Sequence, residues 1–160
     1  MTFQQELSSW FSPLKASSSP PPPIGAPAPS PPILALEPGK RTIIAFLRHC
    51  GCPFAEKTFL RMREAAKTHG DVEFLAVSHS SREATEKWHS FLHVLDPRAL
   101  SNAFGLGKEG INVRPTESGS RWQTSGTYAI GDDGRVKFGG PAARSDDMPE
   151  FEEYVKKLDA

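Results

Sequence analysis

Cys50 and Cys52 stand one residue apart, directly ahead of Pro53, and they are the only two thiols in the 160-residue chain. A thiolate is a strong nucleophile, and a cysteine in the first turn of a helix loses its proton more readily because unpaired backbone N–H groups and the helix dipole favour the anion. Cys52 holds that place if a helix begins at residue 53. Arg48 and His49 just before it, and Lys57 one turn later, add positive charge. A sulfenic acid formed on Cys52 can be resolved by Cys50 through a small, strained and readily reduced disulfide ring. The competing reading of either residue is a buried thiol that only packs, since free cysteine behaves as a small hydrophobe. Metal chemistry is disfavoured, because His69, His79, His89 and His93 are not at ligand spacing with the two cysteines.

The elements that must position these thiols are legible on either side of them. Residues 42–47, Thr-Ile-Ile-Ala-Phe-Leu, are apolar and β-branched at their start, as a strand buried on both faces requires. Residues 54–68 place Phe54, Phe59, Leu60, Met62 and Ala66 near one helical face, with Gly70 as a stop. A second buried strand follows at 72–77, and a strand–helix–strand of this length implies a parallel pair with a right-handed crossover. Residues 81–88 read as helix, 91–95 as a brief strand, and 97–104 as a helix capped by Asp96. Residues 105–125, rich in Gly, Ser, Asn and Pro, read as a long surface loop. Strands at 126–130 and 135–138 flank Gly131-Asp132-Asp133-Gly134, a hairpin signal. Asp147 and Glu150 form a capping-box pattern ahead of Phe151, Tyr154, Val155 and Leu158, so a last helix closes the domain.

The first quarter differs in kind. Residues 2–11 predict a short amphipathic helix through Phe3, Leu7, Trp10 and Phe11, and 13–38 are dominated by proline and serine, which cannot supply the donors of a sheet or helix. Residues 1–40 therefore read as a short helix plus a Pro-rich flexible arm, and 41–160 as one domain, long enough to bury a core without disulfide or metal support. The 19 basic and 19 acidic side chains balance, which argues against nucleic acid and membrane-surface partners. No apolar run has the length of a membrane span, and the cysteine usage suits a reducing compartment, so a cytoplasmic location is expected.

The order of elements, strand, helix, strand, helix, variable segment, strand, strand, helix, predicts an α/β thioredoxin-like fold: a central mixed sheet flanked by helices, with the loop after its first strand at the carboxyl edge, where such sheets place chemistry. Phe46-Leu47-Arg48-His49-Cys50-Gly51-Cys52-Pro53-Phe54-Ala55 resembles the active loop of peroxiredoxin-like proteins of the alkyl hydroperoxide reductase and thiol-specific antioxidant group, and the string from Arg114 to Gln123 resembles fungal members in particular. That resemblance implies a thiol-dependent oxidoreductase or peroxidase with Cys52 as nucleophile, Cys50 or an external thiol as resolving group, and Arg121 stabilising charge on the peroxide. It implies a peroxide or disulfide substrate, a thiol reductant such as glutathione or thioredoxin and no bound cofactor or metal, with a homodimer left open. The chain also departs from the pattern. Ala55 stands where thioredoxins have a second cysteine, Ala45 and His49 stand where peroxiredoxins have a proline and a threonine or serine, and Ser125-Gly126 replaces the usual cis-proline. Cys52-Pro53-Phe54-Ala55 is also similar to the single-cysteine loop of omega-class glutathione transferases, and the lost hydroxyl and second cysteine leave a catalytically idle binding module as a third reading.

Overall fold

A computed structural model describes residues 19–31, 34, 36–50, 52–81, 83, 85 and 124–160. Six elements run in the order β1 (Arg41–Phe46), α1 (Pro53–Thr68), β2 (Val72–Val77), β3 (Gly126–Ile130), β4 (Val136–Pro141) and α2 (Phe151–Leu158). The strands form one mixed sheet in the order β2-β1-β3-β4, with β1 parallel to β2 and antiparallel to β3, and β3 antiparallel to β4. Being central, β1 is covered on both faces, which explains its unbroken apolar run. Ile43 and Ala45 face a core shared with Phe59, Met62, Phe151 and Val155 from the two helices, while Ile44 and Phe46 face a second core with Val77, Tyr128, Ile130 and Val136.

The stripe that α1 buries is Ala55, Thr58, Phe59, Met62 and Ala65, the three- and four-residue spacing of a helix. Phe54 and Leu60, assigned to that face from sequence, are each 37% exposed. They lie outside the 55–58–62 row. The capping box expected at Asp147 does not form either: α2 starts after Glu150, whose side chain makes no cap, while Asp147 Oδ2 accepts the amide N–H of Ala143 at 3.1 Å. Glu150 instead pairs with Arg61 of α1 at 2.8 Å, so its carboxylate joins two helices rather than closing one.

The hairpin is built as its sequence predicts. Gly134 takes a φ of +71° and its N–H donates to Gly131 O at 2.9 Å, while Asp133 Oδ1 accepts the Arg135 amide N–H. β4 extends three residues beyond the expected end because Gly139, at φ +109°, lets the strand continue against Thr127.

Part of the segment read as a free arm is docked on the sheet. Gly25 N–H donates to Val136 O at 2.7 Å, Val136 N–H to Ala26 O at 2.9 Å and Ala28 N–H to Gly134 O at 2.9 Å, pairing the arm with the open edge of β4. Leu34 then enters the second core and is only 1% exposed. Prolines prevent regular strand formation, yet the residues between them still offer N–H groups, and that is what composition conceals. Truncating this anchor in Leu34→Ala is expected to cost about 2–4 kcal/mol in urea unfolding, a full core residue rather than a tether residue. The short helix expected at 2–11, the strand at 91–95 and the helix at 97–104 lie outside the described residues. Of the helix expected at 81–88, a single turn is described, in which Thr85 N–H donates to Ser81 O at 3.0 Å.

Candidate active site

Cys52 is the N-cap residue of α1 and Pro53 opens the helix, as the spacing predicts. The loop that carries it leaves the carboxyl end of β1. Leu47 N–H donates to Val77 O at 2.8 Å and His79 N–H to Arg48 O at 3.3 Å, so the loop stays strapped to the end of β2. It then folds back, with Cys52 N–H donating to His49 O at 3.1 Å and Glu56 N–H closing the first helical turn on Cys52 O. The His49 ring is buried, and its Nδ1 lies 2.9 Å from Cys50 O. A carbonyl only accepts, so Nδ1 carries the proton there.

The two thiols are unbonded to each other and sit in different surroundings. Cys52 is 1% exposed and belongs to the apolar core under α1, together with Leu47, Ala55 and Phe59. Cys50, equally buried, lies among hydroxyls: Ser80 Oγ accepts its amide N–H at 2.7 Å, and its sulfur is within 3.9 Å of Ser78 Oγ and 3.7 Å of Thr85 Oγ1. None of the three hydroxyls was singled out from sequence. The signal present is the run Ser78-His79-Ser80-Ser81 immediately after β2, at the carboxyl edge of the parallel pair, where sheets of this kind commonly place binding and catalytic groups.

A cavity of about 290 Å³ opens at the first turn of α1, its lining including Phe46, Leu47, Phe54, Ala55, Gly126, Thr127, Phe138, Met148 and Tyr154. Arg48 lines it and also lines a neighbouring cavity of about 440 Å³ with Ser125 and Arg144. Leu47 and Ala55 belong both to the buried cluster that holds Cys52 and to the cavity lining, whereas Cys52 itself does not line the cavity. Arg48 is thus brought to the site, whereas Lys57 stays exposed on α1. Arg121 lies outside the described residues.

Tyr154 closes the apolar side of the cavity edge-to-face with Phe138, ring centres 4.9 Å apart. Burial, reinforced by the carboxylates of Asp147 and Glu153, pushes its phenol up to about 12. Tyr128, in the core behind, is raised further by burial. These are the only tyrosines. An alkaline titration followed at 295 nm should therefore show almost no tyrosinate at about pH 10.5 while the chain is folded. Because the unfolded chain ionises first, near pH 10, stability is expected to fall as pH rises from about 10 towards 12. A normal tyrosinate midpoint in the folded chain would contradict the buried cavity wall.

At the level of sequence, no family model and no curated protein matches the chain. Among solved structures it is similar to a peroxiredoxin-like protein from Aquifex aeolicus, with a TM-score of 0.65, 14% identity and 88% of each chain covered. It is similar to a thiol peroxidase from Chromobacterium violaceum, with a TM-score of 0.59 and 12% identity over 76% of this chain and 72% of that one. It is also similar to the bacterioferritin comigratory protein of Xanthomonas campestris, a protein with alkyl peroxide reduction activity, at a TM-score of 0.55 and 15% identity over 76% and 78% of the two chains. The fold is thus the thioredoxin-like α/β fold, in its peroxiredoxin-like form.

Proposed function

We propose that the chain is a thiol-dependent peroxidase acting through Cys52. The observation that carries this reading is the place of Cys52: the N-cap of the first helix of a peroxiredoxin-like fold, in the loop that leaves the carboxyl end of the central strand and four residues after Arg48, which lines the neighbouring cavity. The Cys52 sulfur attacks one peroxide oxygen, the O–O bond breaks, and the other oxygen leaves and is protonated to an alcohol or water. Cys52 is left as a sulfenic acid. Cys50 or an external thiol resolves it, and Arg121 stabilises charge on the departing oxygen. Since Cys52 is 1% exposed, the first turn of α1 opens to admit the oxidant.

The same reading makes glutathione or thioredoxin the reductant, the cytoplasm the working compartment and the protein of fungal type, with the resemblance of residues 46–55 and 114–123 as support. Among the described residues no helix is long and apolar enough to cross a membrane.

The test is a pulse of one equivalent of peroxide on the reduced chain, quenched with dimedone and mapped by mass spectrometry. A dimedone adduct at Cys52 within the first turnover supports the reading; persistent free thiol at Cys52 defeats it. That second outcome belongs to a rival reading, a catalytically idle binding module, which the packing of Cys52 among Leu47, Ala55 and Phe59 favours.

A further inference from the structure

The hydroxyl groups around Cys50 are buried, with Ser78 at 1%, Ser80 at 3% and Thr85 at 0% exposure, so their hydrogens can be assigned by counting acceptors. Thr85 Oγ1 lies 2.9 Å from Ser81 O. The carbonyl has no proton to give, so the single Thr85 hydrogen is committed there, as is common for threonine one helical turn after a carbonyl. The Thr85 oxygen is then an acceptor for its other neighbours, Ser78 Oγ at 3.1 Å and the Cys50 sulfur at 3.7 Å. Ser78 Oγ accepts the Ser80 amide N–H at 3.2 Å and keeps its own hydrogen. That hydrogen has two destinations, Thr85 Oγ1 or the Cys50 sulfur at 3.9 Å. While Cys50 is a thiol, its S–H is directed at Thr85. Once the proton has gone, Thr85 has nothing to donate and Ser78 is the hydroxyl that can turn to the sulfur.

We propose that Ser78 and Thr85 are positioning residues for Cys50: Thr85 orients the thiol, and Ser78 donates a hydrogen bond to its sulfur when Cys50 acts as a nucleophile. Only the step thereby served rests on the peroxidase reading. In it the Cys50 sulfur attacks the sulfenic sulfur of Cys52, an S–S bond forms and the S–O bond breaks. The leaving hydroxide takes up the proton that Cys50 gave away and departs as water. Two external thiols then reduce the disulfide.

The test uses the full chain carrying Cys52→Ser, in which Cys50 is the sole thiol, and the small reagent methyl methanethiosulfonate, from which methanesulfinate leaves when the Cys50 sulfur attacks. Adding Ser78→Ala should slow this reaction about tenfold, the worth of one hydrogen bond to a charged sulfur, and Ser78→Thr should restore it to within about threefold. Thr85→Val, which removes the oxygen that orients the thiol and competes for the Ser78 hydrogen, should change the rate and Thr85→Ser should restore the parent value, and this pair carries the test if Ser78→Ala fails to fold. Equal rates in the hydroxyl-free variants and their parent overturn the proposal. So does a slow variant that the hydroxyl-bearing replacement does not rescue, because packing would then be the cause. Peroxide plays no part in this measurement. A chain with no sulfenic acid at Cys52 but a hydroxyl-dependent Cys50 rate loses the peroxidase reading and keeps this assignment.

Discussion

Gly139→Ala is expected to lower folding stability by about 3–5 kcal/mol, read as a shift of the urea midpoint at unchanged slope. Two independent penalties meet at this position. The backbone φ of +109° lies where side chains other than hydrogen are strained, and a Cβ built there would stand 2.0 Å from Thr127 O and 2.9 Å from Tyr128 Cα. Those atoms belong to the paired strand, so neither can swing aside. The neighbouring glycine supplies the control: a Cβ on Gly140 meets nothing within 4 Å and has no positive φ, so Gly140→Ala should change stability by less than about 1 kcal/mol. Gly131 is intermediate, because the atoms nearest its Cβ are on the side chains of Lys137 and Asp133, which can move. A Gly139→Ala chain as stable as Gly140→Ala would refute the register of β3 and β4 at the cavity wall.

Cys52→Ser is expected to lower peroxide-dependent thiol oxidation by roughly 10³-fold or more, since a hydroxyl at the same place lacks the nucleophilicity of a thiolate. Cys50→Ser should behave differently. The first oxidation, followed in a single turnover, should stay within about threefold of the parent chain, because the proposed nucleophile is untouched. What changes is the fate of the oxidised sulfur: the Cys52 sulfenic acid should persist until an external thiol is supplied. Equal losses in both variants would mean that the two thiols act as one unit, and an unaffected Cys52→Ser would remove the thiol mechanism altogether.

How much of this was readable from sequence depends on where the determinants lie. Strand β2 fell on its expected residues and β1 within one, because central strands are apolar throughout and are bounded by polar turns. The hairpin was equally legible, its turn being dictated by Gly131-Asp132-Asp133-Gly134. Cys52 at a helix start follows from Pro53 alone. The start of α2 differs from the capping pattern because both carboxylates find other partners: Asp147 accepts the nearby Ala143 amide, and Glu150 pairs with Arg61, distant in sequence. The Cys50 surroundings were invisible for a related reason: Ser78, Ser80 and Thr85 lie 28 to 35 residues away and meet the thiol only because β1 and β2 are neighbours in the sheet. Arg48 was read as a source of positive charge, but its place between two cavities follows from the loop geometry.

The pairing of residues 25–28 with Val136 bears on how the chain keeps to itself. β4 is an outer strand of the sheet, and an outer strand with unpaired N–H and C=O groups is a template on which other chains can pair. The arm occupies that edge at Gly134 and Val136, and its prolines have no N–H with which to recruit a further strand. A proline-rich segment is therefore suited to covering the start of an edge strand: it satisfies the backbone at Gly134 and Val136 and offers few donors on its other side. Residues 25–28 and Leu34 thus serve the strand edge and the core together. Removing them would expose the Leu34 site in the core and an adhesive strand edge together, so aggregation is the expected companion of lost stability.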